Sequence, residues 1–106
     1  MVKMSDSLEL ILIDGNLLSV KGQLSHINAN ESIKKLRLII QSHHSGALQI
    51  NLSELESVNS VVLSFLLSGI RAASKSACLI RYAGMSDSLF NMARVGGVEG
   101  LLTTSD

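Results

Sequence analysis

Asn59 and Ser60 are the residues of this sequence that are best placed for chemistry, because they directly precede its most apolar segment. Asn and Ser are good helix N-caps, since their side-chain oxygens accept hydrogen bonds from the free N–H groups of a first turn. A helix N-terminus also favours negative charge, so a serine there can accept or mimic a phosphate. The sequence therefore supports a structural and a regulatory interpretation of Ser60. For both, we expect Ser60 to begin the helix and to be solvent-accessible.

The histidines and the cysteine do not form a recognisable catalytic or metal-binding pattern. His43 and His44 stand where a helix is expected to end, a place that suits cations, and no Cys/His spacing is typical of zinc. Cys78 is interpreted as a small apolar residue of a strand. Serines are numerous, but none lies in a nucleophile-elbow motif. We therefore expect no enzymatic activity, no metal site and no cofactor.

Length and composition restrict the function further. A chain of 106 residues predicts one domain, here with a core over about residues 8–102 and a short tail, 103–106. Nine basic and nine acidic residues cancel, which argues against nucleic-acid binding. A single cysteine suits a reducing compartment, and the apolar run 61–70 is shorter than the roughly 20 residues that span a bilayer. We expect a cytoplasmic binding module.

Hydrophobic periodicity predicts strands that alternate with helices after an opening hairpin, whose turn is predicted at the Asp-Gly-Asn stretch of residues 14–16. In chain order, the expected elements are strands over 8–13 and 17–20, a helix that starts near Asn28, a strand through 48–52, a helix over 61–74, a strand within 77–85 and a helix capped by Ser86. The glycine pair 96–97 is expected to stop the last helix, and residues 98–102 to close the fold. This order predicts an α/β fold with a mixed four- to five-stranded sheet and helices packed against it.

The helix after Ser60 is apolar on more than one side. At 100° per residue, Leu63, Leu66, Leu67 and Ile70 share one face, which we assign to the core. The other side is small and apolar and carries Val61, Phe65, Ser68 and Ala72. We expect this side to be an exposed contact patch, so that a charge at Phe65 abolishes partner binding without unfolding the domain. The alternative is that the first or the third helix covers this side.

The element order and the segment INLSELESVNSVVLSFLLSGIRAA (residues 50–73) resemble the STAS domain. In that family, a strand leads into a loop of the form Asp-Ser/Thr-x-Gly-Leu, which opens the next helix and whose Ser or Thr is the regulatory phosphorylation or partner-contact site. Aligned by that loop, the motif falls on residues 59–63. The stretch 83–102 is similar to the end of the family's domain, in particular to MlaB-type subunits of lipid-transport ABC complexes.

This resemblance implies a non-catalytic protein that binds and regulates the ATPase subunit of a phospholipid-transporting ABC complex, of the Mla type that maintains outer-membrane lipid asymmetry. Such a subunit reaches the inner face of the inner membrane only through the complex. The alternative is an anti-anti-sigma factor switched by phosphorylation of Ser60, with an anti-sigma factor serine kinase as partner. The motif and the apolar outer side of the helix together give the expected contact residues, which are Asn59, Ser60, Val61, Val62, Ser64, Phe65, Ser68 and Ala72. Asn59 replaces the motif's acid and Val62 its glycine, which favours the transporter.

Overall fold

The computed structural model describes residues 8–42, 46–76 and 78–95, which form four strands and three helices. In chain order these are β1 (Leu8–Asp14), β2 (Leu17–Gly22), α1 (Ala29–Ser42), β3 (Ala47–Leu55), α2 (Ser60–Lys75), β4 (Leu79–Ala83) and α3 (Asp87–Val95). The histidine pair 43–44 lies outside the described residues, as do the glycine pair 96–97, the closing segment 98–102 and the tail 103–106.

The four strands form one mixed sheet in the order β1-β2-β3-β4. β1 and β2 are antiparallel across the predicted Asp-Gly-Asn turn, whereas β2, β3 and β4 are mutually parallel. The predicted α/β class and the opening hairpin are thereby confirmed. The carboxyl ends of parallel strands meet at one edge of a sheet. The three loops that leave this edge, residues 23–28, 56–59 and 84–86, are called the carboxyl edge below.

The core lies between one face of the sheet and the helices. Leu48, Ile50 and Leu52 of β3 are buried in the predicted alternation, while Gln49 between them is exposed. α1 and α2 pack against each other above this face. In the described part of the chain, no helix is both long and apolar enough to cross a membrane.

The orientation of α2 about its own axis differs from the sequence prediction. Its buried residues are Val62, Phe65, Leu66, Gly69, Ala72 and Ala73. Of the predicted core face only Leu66 is fully buried, whereas Leu63, Leu67 and Ile70 are half-buried at its flank. The predicted contact patch was therefore wrong at Phe65 and Ala72. The alternative of a covering helix is correct only in part, because the face centred on Gly69 lies against β4 as well as against Leu36 of α1.

A close approach between α2 and β4 explains this rotation. The hydroxyl of Tyr82 donates a 2.6 Å hydrogen bond to the carbonyl of Leu66, and the Tyr82 side chain lies directly against Gly69. A Cβ at position 69 would collide with the Tyr82 oxygen and would lie 3.1 Å from Leu36 Cδ2. Only glycine leaves room there, so the face centred on Gly69 must be the one turned inward.

Candidate partner-binding site

The second helix begins at Ser60, as predicted, and Asn59 is its N-cap. Asn59 has an extended backbone, with φ −158° and ψ 174°, and its Oδ1 accepts a 3.0 Å hydrogen bond from the N–H of Val62. That bond satisfies one of the four N–H groups that a helix start leaves free. The capping function therefore belongs to Asn59, which leaves Ser60 as the first helical residue.

Asn59 also ties the start of α2 to the loop that follows β2. Its Nδ2 donates to the carbonyl of Leu24 over 3.1 Å, and the N–H of Leu24 donates to Ser57 Oγ over 2.6 Å. Both backbone groups of the buried Leu24 are thus bound by the loop between β3 and α2. The N–H of Glu56 adds a 2.7 Å bond to the carbonyl of Gly22. Two loops far apart in sequence, residues 23–28 and 56–59, are thus hydrogen-bonded to each other at the carboxyl edge, and together with the start of α2 they are called the ledge below.

Ser60 is exposed on this ledge. Within the described residues, its hydroxyl makes no hydrogen bond. The hydroxyl is therefore free to donate and to accept a hydrogen bond at a helix N-terminus, where partial positive charge favours an acceptor oxygen or an anion. Ser64, one turn further along, is also exposed. These serines begin the true outer face of α2, which continues through Ser68 and Arg71 to Ser74 and Lys75.

Two large apolar side chains lie exposed on the two loops of the ledge. Val58 is 41% exposed in the loop before α2, and Ile27 is 68% exposed in the loop after β2, which is hydrogen-bonded to the first loop through Leu24. The apolar surface that these side chains expose to water is not stabilised by burial in the free protein. Its burial by a partner is therefore favourable. The ledge thus combines a free hydroxyl, a helix N-terminus and exposed apolar groups, a combination that suits a protein contact surface.

The structure separates the sequence-predicted contact residues into two groups. Ser60 and Ser64 are exposed, and Asn59, Val61 and Ser68 are half-buried, so this group can reach a partner. The other group, Val62, Phe65 and Ala72, is buried and forms core. Sequence reasoning missed Ile27, Val58 and the anchoring pair Leu24 and Ser57. The apolar Ile27 within the polar stretch SHINAN was the available signal; Leu24 and Ser57 are joined only by the fold.

The third loop of the carboxyl edge follows β4 and is held close to β3. Gly84 has φ +74°, and a Cβ there would lie 2.8 Å from Asn51 Oδ1. Glycine is thus required both for the backbone conformation and for the close approach. Ser86 then caps α3 as predicted, since its Oγ accepts a 3.1 Å bond from the N–H of Leu89. Phe90, the exposed aromatic of the chain, is thereby held on the first turns of α3.

Two groups in the described residues have displaced pKa values, and both are raised by burial. Desolvation raises the pKa of the Cys78 thiol, and it raises that of the Tyr82 phenol strongly. A raised pKa disfavours the thiolate or phenolate that would act as a nucleophile. The described residues also contain no cluster of three or more His, Cys, Asp or Glu side chains that could hold a metal ion. His26 lies exposed near the ledge.

Comparison with known proteins identifies the fold. A family model described as "Mlab, STAS domain" matches residues 13–103. An anti-sigma factor antagonist from Mycobacterium paratuberculosis has a TM-score of 0.77 at 19% identity, covering 97% of this chain and 89% of that one. The anti-sigma factor antagonist SpoIIAA in its unphosphorylated form has a TM-score of 0.70 at 14% identity, covering 94% and 89%.

The phosphorylated form of SpoIIAA, a Bacillus cell fate determinant, has a TM-score of 0.67 at 14% identity, covering 94% of this chain and 92% of that one. At these identities the likeness concerns the fold. No curated protein sequence matches the chain.

Proposed function

The chain belongs to the STAS domain family, and we propose that it acts by binding, as the regulatory subunit that docks on the ATPase of a phospholipid-transporting ABC complex of the Mla type. Ser60 and the ledge around it form the docking surface. The single observation that carries the proposal is the exposed Ser60 hydroxyl at the start of α2, next to two loops that carry the exposed Val58 and Ile27 and are hydrogen-bonded to each other. The MlaB-like description of the matching family supports the choice of partner.

The exposed apolar groups allow an estimate of the free energy that the contact contributes to binding. Full burial of a Val or Ile side chain is favourable by about 1.5–3 kcal/mol, so burying what Val58 and Ile27 still expose contributes roughly 2 kcal/mol in total. Allosteric coupling between two proteins typically amounts to about 1–3 kcal/mol. A contact of this size that only the competent assembly of the ATPase makes would stabilise that assembly and change its rate several-fold without chemistry by this chain.

The two departures from the family's phosphorylation motif have structural roles. Asn59 donates through Nδ2 to the Leu24 carbonyl, which an aspartate could not do. Val62 is fully buried, where a glycine would leave a cavity. These residues serve the internal packing of the ledge, which favours a constitutive contact over a kinase-read switch. The chain would then work at the inner face of the inner membrane, held there by the complex.

Ser60→Asp tests the proposal. A carboxylate suits a free helix N-terminus but must be desolvated in a protein contact, so the variant should fold normally and bind the ATPase subunit about tenfold more weakly. The dissociation constant is measured by titration with the purified ATPase subunit, together with its ATP hydrolysis rate. Ser74→Asp, which adds the same charge at the far end of α2, is the matched control and should bind like the wild type. Equal affinity of all three proteins would contradict docking at Ser60.

A second candidate is an anti-anti-sigma factor controlled by phosphorylation of Ser60. It is favoured by the similarity to solved anti-sigma factor antagonists, one of them in a phosphorylated form. Affinity purification from the native cell, followed by mass spectrometry, separates the two functions. Recovery of an ABC ATPase supports the transporter assignment. A co-purifying serine kinase with phosphate on Ser60, and no ABC ATPase, would replace it by the anti-sigma assignment.

A further inference from the structure

A groove lies between α1 and α2 on the outer surface of the helix layer, toward the C-terminal ends of both helices. Its volume is about 470 Å³, within the range of small-ligand sites. It is lined by Arg37, Gln41, Ser68, Arg71, Ala72 and Lys75. Arg71 is eleven residues beyond Ser60, about 16 Å along the helix axis. The groove is therefore separate from the proposed docking ledge.

The walls of the groove are set by the close packing of the two helices. Gly69 has no side chain, which allows Leu36 of α1 to approach within 3.1 Å of the place of a Cβ. Arg37 directly follows Leu36 in sequence, and Ser68 directly precedes Gly69. Both residues line the groove next to this contact. The buried Ala72 contributes to its base. Cations thus extend from two walls that the fold holds in place.

The lining carries three positive charges and no carboxylate. None of the three cations has an ion-pair partner within the described ranges 8–42, 46–76 and 78–95. The whole chain has no net charge, so this concentration of one sign is local. Gln41 and Ser68, the other polar groups of the lining, can also donate hydrogen bonds. The groove is consequently built to surround acceptor oxygens.

Helix stability explains only part of this charge. Lys75 lies in the last turn of α2, where a cation complements the partial negative charge of about half an elementary unit. Arg37 belongs to the other helix, and Arg71 lies a full turn before Lys75. Neither arginine is therefore needed to complement the C-terminus of α2. Two arginines that face one groove instead match the bidentate recognition of oxyanions by guanidinium groups.

We propose that this groove binds a phosphoryl group, either of a free phosphorylated compound or of an anionic lipid headgroup. Arg37 and Arg71 bind its oxygens from opposite walls, Lys75 supplies a point charge, and Ser68 and Gln41 donate to the remaining acceptors. A tetrahedral dianion has enough acceptor positions for donors that converge from two helices. The compact volume favours such a group over an extended acidic peptide.

The test is titration calorimetry of the isolated chain with inorganic pyrophosphate, and co-sedimentation with phosphatidylcholine vesicles with or without phosphatidic acid. Arg37→Gln combined with Arg71→Gln should weaken binding about tenfold or more. Arg81→Gln combined with Arg94→Gln removes two arginines from outside the groove and should change affinity less than twofold. All four residues are exposed, and thermal unfolding verifies that both double variants remain folded.

Binding of pyrophosphate with this variant pattern supports a free phosphorylated ligand, and binding only to vesicles that contain phosphatidic acid supports a lipid headgroup. Three results overturn the proposal: no binding in either arm, equal loss in both double variants, or tighter binding of a polyglutamate peptide than of either phosphoryl probe. Because the ATPase partner is absent, failure here leaves the docking proposal untouched, and failure of docking leaves the groove untouched.

Discussion

Asn59 is the residue on which the geometry of the ledge most depends, because one side chain both caps α2 and binds the β2–α1 loop. Asn59→Ala removes the cap, at about 1 kcal/mol, and leaves the Leu24 carbonyl without its donor. We expect a total loss of about 2–3 kcal/mol in the free energy of unfolding, measured by urea denaturation. Asn59→Asp should lose less, since its carboxylate retains the cap. An Asp variant more stable than the wild type would show that the Leu24 bond contributes little.

Phe65 provides the sharpest test of the rotation of α2. The side chain is 0% exposed, so Phe65→Ala should lower the free energy of unfolding by about 3–5 kcal/mol. Phe65→Asp should prevent folding, contrary to the expectation from sequence that it would only abolish partner binding. Ser64→Ala, the exposed neighbour, should stay within about 0.5 kcal/mol of the wild type. A folded Phe65→Asp variant would restore the sequence-based orientation of the helix.

Tyr82 should make the domain sensitive to alkaline pH. Burial raises the pKa of its phenol above the unfolded value of about 10, so above that pH the unfolded chain loses a proton that the folded chain retains. The stability that Tyr82 contributes is complete below pH 10 and falls as the pH rises further. Tyr82→Phe should be less stable at pH 8, through the lost bond to Leu66, yet lose less stability between pH 8 and pH 11. Parallel pH profiles would contradict this assignment.

At the scale of elements, the contact between α2 and β4 depends on a residue that weakens the helix. Gly69→Ala gains about 1 kcal/mol of helix propensity, but the added methyl collides with the Tyr82 oxygen. We expect a net loss of up to about 2 kcal/mol in unfolding free energy, because overpacking a core costs about 1–3 kcal/mol. In a Tyr82→Phe background the same change should cost less, since the colliding oxygen is gone. Strict additivity of the two changes would mean that they do not interact.

At the scale of the whole molecule, the proposed docking ledge and the basic groove occupy opposite ends of α2 and should respond separately. Hydrogen exchange of the chain bound to an ATPase subunit should show new protection over 23–28 and 56–64. Residues 37–41 and 71–75 should exchange as in the free chain. Pyrophosphate should produce the reverse pattern. Protection of the groove by the ATPase would place the partner at the C-terminal end of α2 and would contradict docking on the ledge.

The local elements of this protein could be predicted from its sequence, because their signals lie within a few residues of one another. The Asp-Gly-Asn turn, the alternation in β3 and the cap at Ser86 each depend on neighbouring backbone groups, and each is present in the structure. The start of α2 at Ser60 belongs to the same class, since Asn59 caps a helix that begins one residue later. Periodicity and capping therefore determined the α/β class and placed Ser60.

The tertiary structure alone decided which side of α2 is buried. The helix is apolar over more than half of its circumference, so its sequence allows two inward faces that differ by about one residue, or 100°. The choice depends on Gly69 fitting over Tyr82, thirteen residues away on a different element. The bond from Asn59 to Leu24 and the facing of Arg37 with Arg71 are equally non-local. Such pairings are absent from any local pattern because they arise only when packing brings separate elements together.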